Sequence, residues 1–476
     1  MSYNTGQFYI DGAWVEPSEG ASFLDVINPA TEASVAQVAI GTQKDAQRAI
    51  AAARAAFPGF SATSKAERVA LLRRIRDAYE ARMDNIAAAI TAEMGAPSSM
   101  ALSDQAGSGL GHIEATIEAL EMFEFEEKRG STVIVREAIG VAGLITPWNW
   151  PMNQIACKVA PAIAAGCTVV LKPSEIAPLS GILFAEIMHE AGVPAGVFNL
   201  VNGDGPGVGQ VLSSHPDIDI VSFTGSTRAG ILVAKSAADT VKRVAQELGG
   251  KSPNIILADA DFEAAVKSGV EGCFGNSGQS CDAPTRMLVP RDRHNEALGI
   301  AKRAAEAMVT GDPTDPATDL GPVVSQVQYD KIQALIASGI QDGATLVTGG
   351  RDRPDGLEQG YYVKPTVFAA VTPDMRIARE EIFGPVLAIM PFESEEQAVE
   401  IANDTVYGLA GYVQSGDLDH ARRIARQLRA GQVHINSPDW DLFAPFGGYK
   451  QSGNGREYAD WGMHDYLETK ALIGHG

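Results

Sequence analysis

The sequence is poor in cysteine, and its few cysteines are not arranged to bind a metal. Among 476 residues there are four, namely Cys157, Cys167, Cys273 and Cys281. They form no CxxC pair and no Cys/His cluster with the spacing of zinc ligands. Such a low count indicates a reducing compartment rather than a disulfide-stabilised secreted domain. We therefore expect no metal site and a cytoplasmic location.

Basic residues are also in short supply. Lys and Arg number 38 against 59 Asp and Glu, which gives a net charge of −21. A nucleic-acid or anionic-membrane surface needs a basic patch, so this balance argues against both kinds of partner. A local basic site for a phosphate is still compatible with the negative net charge. The 45% apolar and 20% charged residues are typical of a soluble globular protein.

Long uninterrupted apolar runs are missing as well. The most apolar stretch, residues 155–171, contains Lys158, Pro161 and Gly166. It therefore predicts a buried helix followed by a strand rather than a membrane span. The amino-terminal residues lack a basic region followed by an apolar run, so we expect no signal peptide.

The length of the chain predicts two or three domains. Ser64 and Glu67 form a capping box that begins a long amphipathic helix reaching towards Met94. Further helices are predicted over 45–56 and 103–123, and short strands within 7–40. From Val141 onwards, five short apolar segments alternate with helical stretches, at 141–146, 168–171, 197–201, 220–223 and 241–246. That alternation predicts a parallel sheet of the dinucleotide-binding kind.

A second α/β block begins near Lys251. We predict a strand over 286–290, and helices over 262–273, 293–309, 394–403 and 418–430. Gly431 is predicted to be the C-terminal cap of the last of these helices, since glycine commonly follows the last helical residue. The residues after Gly462 carry few turn signals and predict a strand that pairs elsewhere.

Cys281 is the strongest candidate for chemistry. It follows the small, polar segment GNSGQS, in which a sulfur can stay open to a ligand. Glu247 lies 34 positions earlier (281 − 247) in the segment ELGGK. A thiol and a nearby base are sufficient for covalent catalysis on a carbonyl carbon. The alternatives are a small buried cysteine and a surface ion pair of Glu247 with Lys251 or Arg243.

Asn149 is a second candidate. It lies in TPWNWP, residues 146–151, where two prolines and two tryptophans predict a rigid elbow. A side-chain amide fixed in this way can donate to a developing oxyanion. The alternative is a packed aromatic turn in which Asn149 caps the next helix.

A cofactor site is indicated less directly, because the GxGxxG signature is absent and residues 203–209 miss its spacing. A GxxxxG turn, Gly225 to Gly230, follows the strand at 220–223, and such a turn into a helix can seat a pyrophosphate. Lys172 and Glu175 follow the strand at 168–171, and ligands bind at the carboxyl ends of such strands. The alternatives are a tight turn and an ion pair in a solvated loop.

Together these segments resemble the aldehyde dehydrogenase superfamily. The resemblance runs over nearly the whole chain and in the family's order, through the motifs PWNWP, KPSE, FTGS, ELGGK, GQSC, EEIFGPV and PFGGYKQSGNGRE. It implies an α/β fold with a Rossmann-like cofactor domain, an α/β catalytic domain and a small β oligomerisation element. The implied boundaries are 1–119 with 139–249, then 250–450, and lastly 120–138 with 451–476.

The resemblance implies a role for each matching residue. Cys281 would attack the aldehyde, Asn149 and the Cys281 N–H would hold the oxyanion, and Glu247 would activate water. Lys158 and Glu457 match positions proposed to pass protons away from the base. The implied cofactor is NAD, and the implied cofactor-binding residues are Thr146, Trp148, Lys172, Ser174, Glu175, Gly205, Gly209, Phe223, Thr224, Gly225, Ser226, Leu248, Gly249, Glu381 and Phe383.

Two residues refine the subtype. Glu175 favours NAD, because it would face the 2′-phosphate of NADP, although Lys172 leaves NADP use open. Glu247 favours hydrolysis of the acyl group over transfer to coenzyme A, since acyl-transferring relatives typically lack this carboxylate. A coenzyme A-acylating or semialdehyde-specific member of the family, and a binding protein that kept the fold, are the alternatives.

Asp282 departs from the family pattern, in which a neutral residue often follows the cysteine. A carboxylate there would raise the thiol pKa and disfavour an anionic aldehyde. We therefore expect a neutral or cationic aldehyde as substrate and a homodimer or homotetramer as the assembly. The predicted pocket consists of Trp150, Gln154, Asp282, Trp440 and Phe446.

Overall fold

A computed structural model of the chain describes residues 3–18 and 22–475. These residues form twenty strands: β1 (Phe8–Ile10), β2 (Ala13–Val15), β3 (Ser22–Ile27), β4 (Ser34–Ile40), β5 (Glu126–Arg129), β6 (Thr132–Ala138), β7 (Val141–Ile145), β8 (Thr168–Lys172), β9 (Phe198–Leu200), β10 (Ile220–Thr224), β11 (Arg243–Glu247), β12 (Pro253–Ile256), β13 (Arg286–Pro290), β14 (Thr345–Thr348), β15 (Thr366–Ala369), β16 (Val386–Phe392), β17 (Ala410–Gln414), β18 (Gln432–Ile435), β19 (Gly453–Asn454) and β20 (Leu467–Ile473).

The same residues form sixteen α-helices: α1 (Gln43–Ser61), α2 (Lys65–Glu80), α3 (Met83–Met94), α4 (Ser98–Met100), α5 (Gly107–Met122), α6 (Pro151–Ala165), α7 (Leu179–Glu190), α8 (Gln210–Ser214), α9 (Thr227–Ala237), α10 (Phe262–Phe274), α11 (His294–Ala307), α12 (Gln326–Gln341), α13 (Arg376–Arg379), α14 (Glu395–Asn403), α15 (Leu418–Ala425) and α16 (Ala459–Asp465). Segments Ala101–Ala106 and Gly205–Gly209 are π-helical, and short 3-10 helices cover Ala238–Thr240, Gly275–Gly278, Arg291–Arg293 and Lys450–Ser452.

The first sheet has eight strands in the order β19-β11-β10-β7-β8-β9-β1-β2. Its five central strands are parallel, while β19, β1 and β2 pair antiparallel. Side chains along β8 alternate between two buried clusters, with Val169 and Leu171 facing one and Val170 the other. Helices therefore cover both faces, as a buried parallel sheet requires. The five predicted strands from Val141 are confirmed to within two residues at each end.

The second sheet has seven strands in the order β14-β15-β16-β13-β12-β17-β18. All pairs are parallel except β14 with β15. A three-stranded sheet, β20-β6-β5, and a two-stranded sheet, β3-β4, complete the described strands. The predicted carboxy-terminal strand is confirmed, since β20 pairs with the whole of β6.

Two predicted helices are shorter than expected. The capping box of Ser64 and Glu67 is present, but the helix ends at Glu80 and a second one runs over Met83–Met94. No glycine or proline marks this break, and the Arg82 side chain there binds Glu186 and Glu190 on α7. The predicted helix over 418–430 is also too long, since α15 ends at Ala425. Within the described residues, no helix is long and apolar enough to cross a membrane.

Candidate active site

The carboxyl ends of four neighbouring strands form one edge of the first sheet. In the order β11, β10, β7 and β8, they carry Glu247, Thr224, Thr146 and Lys172. The register places Thr224 opposite Glu247. Ligands of open α/β sheets bind beyond such edges, so the sheet topology alone brings these four predicted residues to one site.

One end of this edge carries a cation–carboxylate pair. Lys172 Nζ lies 3.0 Å from Glu175 Oε2, and Lys172 is buried while Glu175 is half-exposed. Ser174 is held nearby, where its hydroxyl accepts from the Ile176 N–H. The π-helix that begins at Gly205 lies beside the same lysine, because a Cβ on Gly209 would be 3.7 Å from Lys172 Cδ. The ion pair exists, but it borders the sheet edge rather than lying in a solvated loop.

The turn after β10 leads into α9. Ser226 is the N-cap of this helix, and its hydroxyl accepts from the Ala229 N–H. Gly225 donates its N–H to the Glu247 carbonyl, which ties the turn to the end of β11. A helix N-terminus with backbone N–H groups directed outward suits a pyrophosphate. Phe223 packs under Gly225, and Leu248 packs under Gly230.

A second carboxylate lies against the ELGGK segment. Glu381 Oε1 accepts from the Gly250 N–H at 2.8 Å, and a Cβ on Gly249 would lie 2.7 Å from Glu381 Oε2. Phe383, with φ of 60°, packs edge-on against Trp148 at a centroid distance of 5.4 Å. The structure therefore brings these predicted residues together in two pairs, Glu381 with Gly249 and Phe383 with Trp148.

Two buried hydroxyl groups at the sheet edge are suited to a polar cofactor. The hydroxyl groups of Thr146 and Thr224 are buried at the sheet edge and have no hydrogen-bond partner. Unpaired buried hydroxyls are costly, so they favour a ligand that supplies partners. The sheet edge therefore has hydrogen-bonding capacity that a bound polar ligand would satisfy.

The loop before Cys281 holds three successive left-handed residues. Asn276 and Ser277 both have φ of 54°, and Gly278 has φ of 71°. Such backbone costs roughly 1 kcal/mol or more for each residue that is not glycine, so it needs support. Ser277 supplies part of it by donating to the Gly321 carbonyl at 2.7 Å, and Gln279 Oε1 accepts from the Val324 N–H at 2.9 Å.

Asn149 is joined to that loop. Its side-chain amide donates to the Gln279 carbonyl at 2.9 Å. Its own carbonyl accepts from Asn276 Nδ2 at 2.9 Å and from Gln105 Nε2 at 3.1 Å. The alternative role as a helix cap is wrong, because α6 has Trp150 as its N-cap and no side-chain cap. The amide therefore faces the segment that carries the candidate nucleophile.

Cys281 is the one cysteine with partial exposure, whereas Cys157, Cys167 and Cys273 are buried. Its backbone packs on the ELGGK segment, because a Cβ on Gly250 would lie 2.2 Å from the Cys281 carbonyl oxygen. Burial raises the pKa of the Cys281 thiol well above its ordinary value, and nearby carboxylates add to the rise, first Asp282, then Glu381 and Glu247.

Glu247 is buried without a partner. Its side chain is 2% exposed, and neither carboxylate oxygen has a hydrogen bond. The predicted alternative of a surface ion pair is wrong, since Arg243 binds Glu468 and the Lys251 ammonium group is buried and unpaired. Burial, and then repulsion from Glu457, raises the pKa of Glu247 well above its usual range. A carboxyl group of this kind is suited to accept a proton near neutral pH.

Lys158 and Glu457 form a buried ion pair behind Glu247. The thiol of Cys157 also contacts Glu457 Oε2, at 3.4 Å. The charge of Lys158 partly offsets the burial of Glu247, so the two acids and the lysine form one electrostatic unit. The three predicted proton-handling residues are thereby brought together.

A cavity of about 590 Å³ opens at Cys281. All five predicted pocket residues line it, and no Lys or Arg does. One wall is aromatic: the His434 ring stacks on Tyr412 at 4.8 Å and on Trp440 at 5.7 Å, and Phe446 stacks on Tyr458 at 5.1 Å. Burial lowers the pKa of His434, and the charge of Asp282 opposes that shift. The wall is therefore largely aromatic.

Asp282 lies at the base of this cavity. The Tyr412 hydroxyl donates to the Asp282 carbonyl at 3.2 Å and lies 3.5 Å from its carboxylate. Burial raises the pKa of Asp282, and the neighbouring His434 opposes that rise. The carboxylate predicted to hinder thiolate formation is thus fixed beside the sulfur by Tyr412.

We expect Asp282→Asn to make the Cys281 thiol react at lower pH. The substitution removes one of the negative charges that raise the thiol pKa, so the thiolate forms earlier as pH rises. The rate of alkylation by iodoacetamide, measured from pH 6 to pH 10, should show its midpoint displaced to lower pH. Asp239→Asn, an exposed charge elsewhere, serves as the control. An unmoved midpoint would show that Asp282 does not act on the sulfur.

Sequence reasoning missed several residues that hold the site together. Gln105 bridges Asn149 and Asn276, which lie 44 and 171 positions away. Tyr412 and His434 contribute to the cavity wall from β17 and β18. Only the GQSC motif pointed to Gln279, and no motif pointed to Gln105.

Comparisons with known proteins identify the family of the chain. A profile of the aldehyde dehydrogenase family matches residues 14–472. A 3-succinoylsemialdehyde-pyridine dehydrogenase from Pseudomonas sp is 57% identical over 470 residues, which cover 98% of each chain. Aldehyde dehydrogenase C from Pseudomonas syringae, crystallised as a cysteine-to-alanine mutant with NAD+ and octanal, has a TM-score of 0.98 at 55% identity, covering 99% of this chain and 97% of that chain. A betaine aldehyde dehydrogenase from Staphylococcus aureus, crystallised with NAD+, has a TM-score of 0.96 at 38% identity, covering 99% and 95%.

The chain therefore belongs to the aldehyde dehydrogenase family. It is an oxidoreductase that acts on aldehydes and forms the carboxylic acid. The predicted family, fold class and enzyme class are confirmed, and the NAD+ complexes of the solved relatives agree with the predicted cofactor. The predicted domain boundaries and the roles of single residues stay predictions.

Proposed function

We propose that the chain oxidises a neutral or cationic aldehyde to the acid with NAD, through a covalent intermediate on Cys281. The observation that carries this proposal is the convergence of three groups at one cavity and one sheet edge. They are a partly exposed thiol, an amide tied to its loop, and a buried carboxyl group with no partner. Nucleophile, oxyanion donor and base are the parts that acyl chemistry on a carbonyl carbon requires.

In the first step the Cys281 sulfur bonds to the aldehyde carbon. The thiol gives up its proton to solvent, and the carbonyl oxygen becomes an alkoxide on attack. The Asn149 amide and the Cys281 N–H would donate to this oxygen and stabilise its charge. Bound NAD would supply the acceptor for the hydride of the same carbon. The product on the enzyme is a Cys281 thioester.

In the second step Glu247 removes a proton from water, which attacks the thioester carbon. The carbon–sulfur bond breaks, the acid leaves, and Cys281 is released as a thiolate that can attack the next aldehyde. Lys158 and Glu457, the buried ion pair beside Glu247, would pass the proton from Glu247 away from the site. The raised pKa of Glu247 supports this role, because a stronger base removes a proton from water more readily.

For the cofactor, Lys172, Glu175 and Ser174 would bind the adenosine ribose, and Ser226 the pyrophosphate. Glu381 would bind the nicotinamide ribose, with Phe383 packed beside it. The carboxylate of Glu175, half-exposed at the sheet edge, supports NAD because it would repel a 2′-phosphate. The pairing of Lys172 with Glu175 weakens the attraction that the lysine would offer to NADP.

For the substrate, the absence of Lys and Arg from the cavity lining supports a neutral aldehyde over an anionic one. Octanal in the Pseudomonas syringae complex and the pyridine group in the name of a second relative are in keeping with a neutral aldehyde, and the betaine aldehyde in the name of a third is a cation. The aromatic wall suits an apolar, flat or cationic substituent.

A panel of aldehydes tests the proposal. We expect NADH formation with octanal and other neutral aldehydes, and a kcat/KM at least about tenfold lower for succinic semialdehyde, whose carboxylate finds no cation in the cavity. The assay contains neither coenzyme A nor phosphate. A preference for the carboxylated aldehyde would contradict the substrate class, and a requirement for coenzyme A or phosphate would contradict hydrolysis.

Replacing the oxyanion donor should be costly. We expect Asn149→Ala to lower kcat by about 100- to 1000-fold with little change in NAD affinity, because one donor to a developing oxyanion is worth roughly 3–4 kcal/mol. Steady-state kinetics and NAD titration by fluorescence measure the two effects. Asn295→Ala, an exposed amide on α11, is the control. A loss below about threefold would remove Asn149 from the oxyanion site.

We further propose a cytoplasmic homo-oligomer with the three-part division given above. The low cysteine count, four in 476 residues, supports the compartment. Strands β18 and β20 are edge strands of their sheets, and open edges tend to be covered by another chain. Exposed Trp461 and Ile473, near and within β20, support an interface there.

A further inference from the structure

One buried side chain connects the two segments that the proposed chemistry needs. Gln105 is fully buried and lies in the π-helical segment Ala101–Ala106, directly before α5. Helical turns of this kind are rare and frequently occur at functional sites. Gln105 Nε2 donates to the Asn149 carbonyl at 3.1 Å and to Asn276 Oδ1 at 3.1 Å. The same nitrogen lies 3.5 Å from the sulfur of Met94, which is a weak acceptor.

The two oxygens that accept from this nitrogen belong to segments far apart in the sequence. Asn149 lies in the TPWNWP elbow (residues 146–151), and Asn276 lies in the loop that ends at Cys281 (residues 275–281), which we call the cysteine loop. Asn276 Nδ2 also donates to the Asn149 carbonyl, at 2.9 Å. A main-chain carbonyl can only accept, so it fixes the orientation of both side-chain amides that contact it. The elbow and the cysteine loop therefore share one oxygen atom as their joint.

This joint determines where the side-chain amide of Asn149 lies. The amide donates one N–H to the Gln279 carbonyl at 2.9 Å. No other hydrogen bond among the described residues involves Asn149 Nδ2, so its second N–H is left for the oxygen of a bound aldehyde. The indole of the next residue, Trp150, donates to Ser280 Oγ at 2.8 Å. Asn149 is thus held at its carbonyl and at its side chain against the cysteine loop.

Packing alone does not account for a glutamine at position 105. The Gln105 Oε1 atom is buried and has no hydrogen-bond partner among the residues that the structure describes. An unpaired buried acceptor lowers stability, and an apolar side chain of similar size, such as methionine, would remove it. The amide is therefore explained by the two hydrogen bonds that its nitrogen donates.

We propose that Gln105 is a positioning residue for the oxyanion donor. It does not line the cavity, so it acts through Asn149. By holding the Asn149 carbonyl against the cysteine loop, it fixes the distance between the side-chain amide and the Cys281 sulfur. A displacement of about 1 Å in such an arrangement can lower the rate by about 100-fold. The inference rests on the proposed function, since it takes Asn149 to be the oxyanion donor.

Gln105→Met removes both donated hydrogen bonds together with the unpaired oxygen. We expect kcat with octanal to fall by about tenfold or more, with little change in the KM for NAD. The thermal midpoint should change by less than about 5 °C, so the catalytic loss would exceed what a loss of packing explains. Gln341→Met, at the exposed end of α12, is the matched control and should leave kcat unchanged.

A double-mutant cycle separates positioning from a merely structural role. Asn149→Ala removes the donor that Gln105 would position. In that background Gln105→Met should lower kcat by less than about threefold, against about tenfold or more in the wild-type background. The same factor in both backgrounds would overturn the inference and leave the proposed function intact. A kcat of Asn149→Ala within about threefold of the wild type would instead overturn the proposed function, and the inference with it.

Gln105→Glu keeps the shape of the side chain and tests the donor itself. Burial against two acceptor oxygens favours the protonated carboxyl group, which can donate one hydrogen bond, whereas the carboxylate would be repelled. We expect kcat of this variant, as a ratio to the wild type, to fall by about threefold or more between about pH 6 and about pH 9. The corresponding ratio for Gln105→Met should not depend on pH. A constant ratio for Gln105→Glu would overturn the inference, and this variant decides if Gln105→Met does not fold.

Discussion

Cys281→Ala should abolish NADH formation with every aldehyde, a loss on the order of 10⁴-fold or more in kcat. The reason is that the thioester route needs a sulfur at this position, and no other thiol reaches the cavity. Cys157, Cys167 and Cys273 are all buried, and their pKa values are raised by that burial. NAD binding should persist, because the predicted cofactor residues lie on the sheet edge and on Glu381.

The matched control is Cys167→Ala, a buried thiol that contacts the Tyr466 carbonyl and lies outside the cavity. It should keep aldehyde oxidation within about threefold. Spectrophotometry of NADH and a binding titration of NAD give the two measurements. Substantial turnover by Cys281→Ala would remove this residue as the nucleophile. It would leave the fold and the family unaffected.

Glu247→Gln should separate the two half-reactions. Steady turnover should fall by about 100- to 10,000-fold, because no base remains to activate water. The first turnover should persist as a burst of about one NADH per chain, since the sulfur can still be acylated. Rapid mixing of enzyme, NAD and octanal would show the burst and the slow phase after it. The glutamine keeps the shape of a side chain that has no hydrogen bond to lose.

Glu400→Gln, an exposed acid on α14, is the control for this substitution. It should show no change in either phase. Equal loss of the burst and of the slow phase in Glu247→Gln would assign Glu247 to an earlier step, such as removal of the Cys281 proton. Added hydroxylamine gives a further check, because it is a nucleophile that needs no base and should accelerate release of the acyl group.

The parts of this protein that could be predicted from sequence are local. Strands such as β8 and β13 are short apolar segments bounded by turn residues, and the structure places them within a residue of the prediction. The candidate catalytic residues lie in short motifs, so their roles could be predicted without knowing how they are arranged in space. The sheet then brought Thr146, Lys172, Thr224 and Glu247 together, because parallel strands end at a common edge.

What could not be predicted depends on contacts between distant segments. The break between α2 and α3 has no glycine or proline, and its anchor on α7 lies about a hundred residues away. Gln105 bridges Asn149 and Asn276 across the site, yet its neighbours in sequence give no sign of this.

Because three of the four thiols are buried, the number of active sites in a preparation can be determined by labelling the fourth. An electrophile that cannot enter a packed core would modify Cys281 alone, so the amount incorporated per chain would report the fraction of competent sites in a preparation. The same selectivity means that oxidants and covalent inhibitors would meet a single target, and that occupancy of the cavity would protect it. Reagents that modify thiols would thus act on this chain through the single sulfur atom of Cys281.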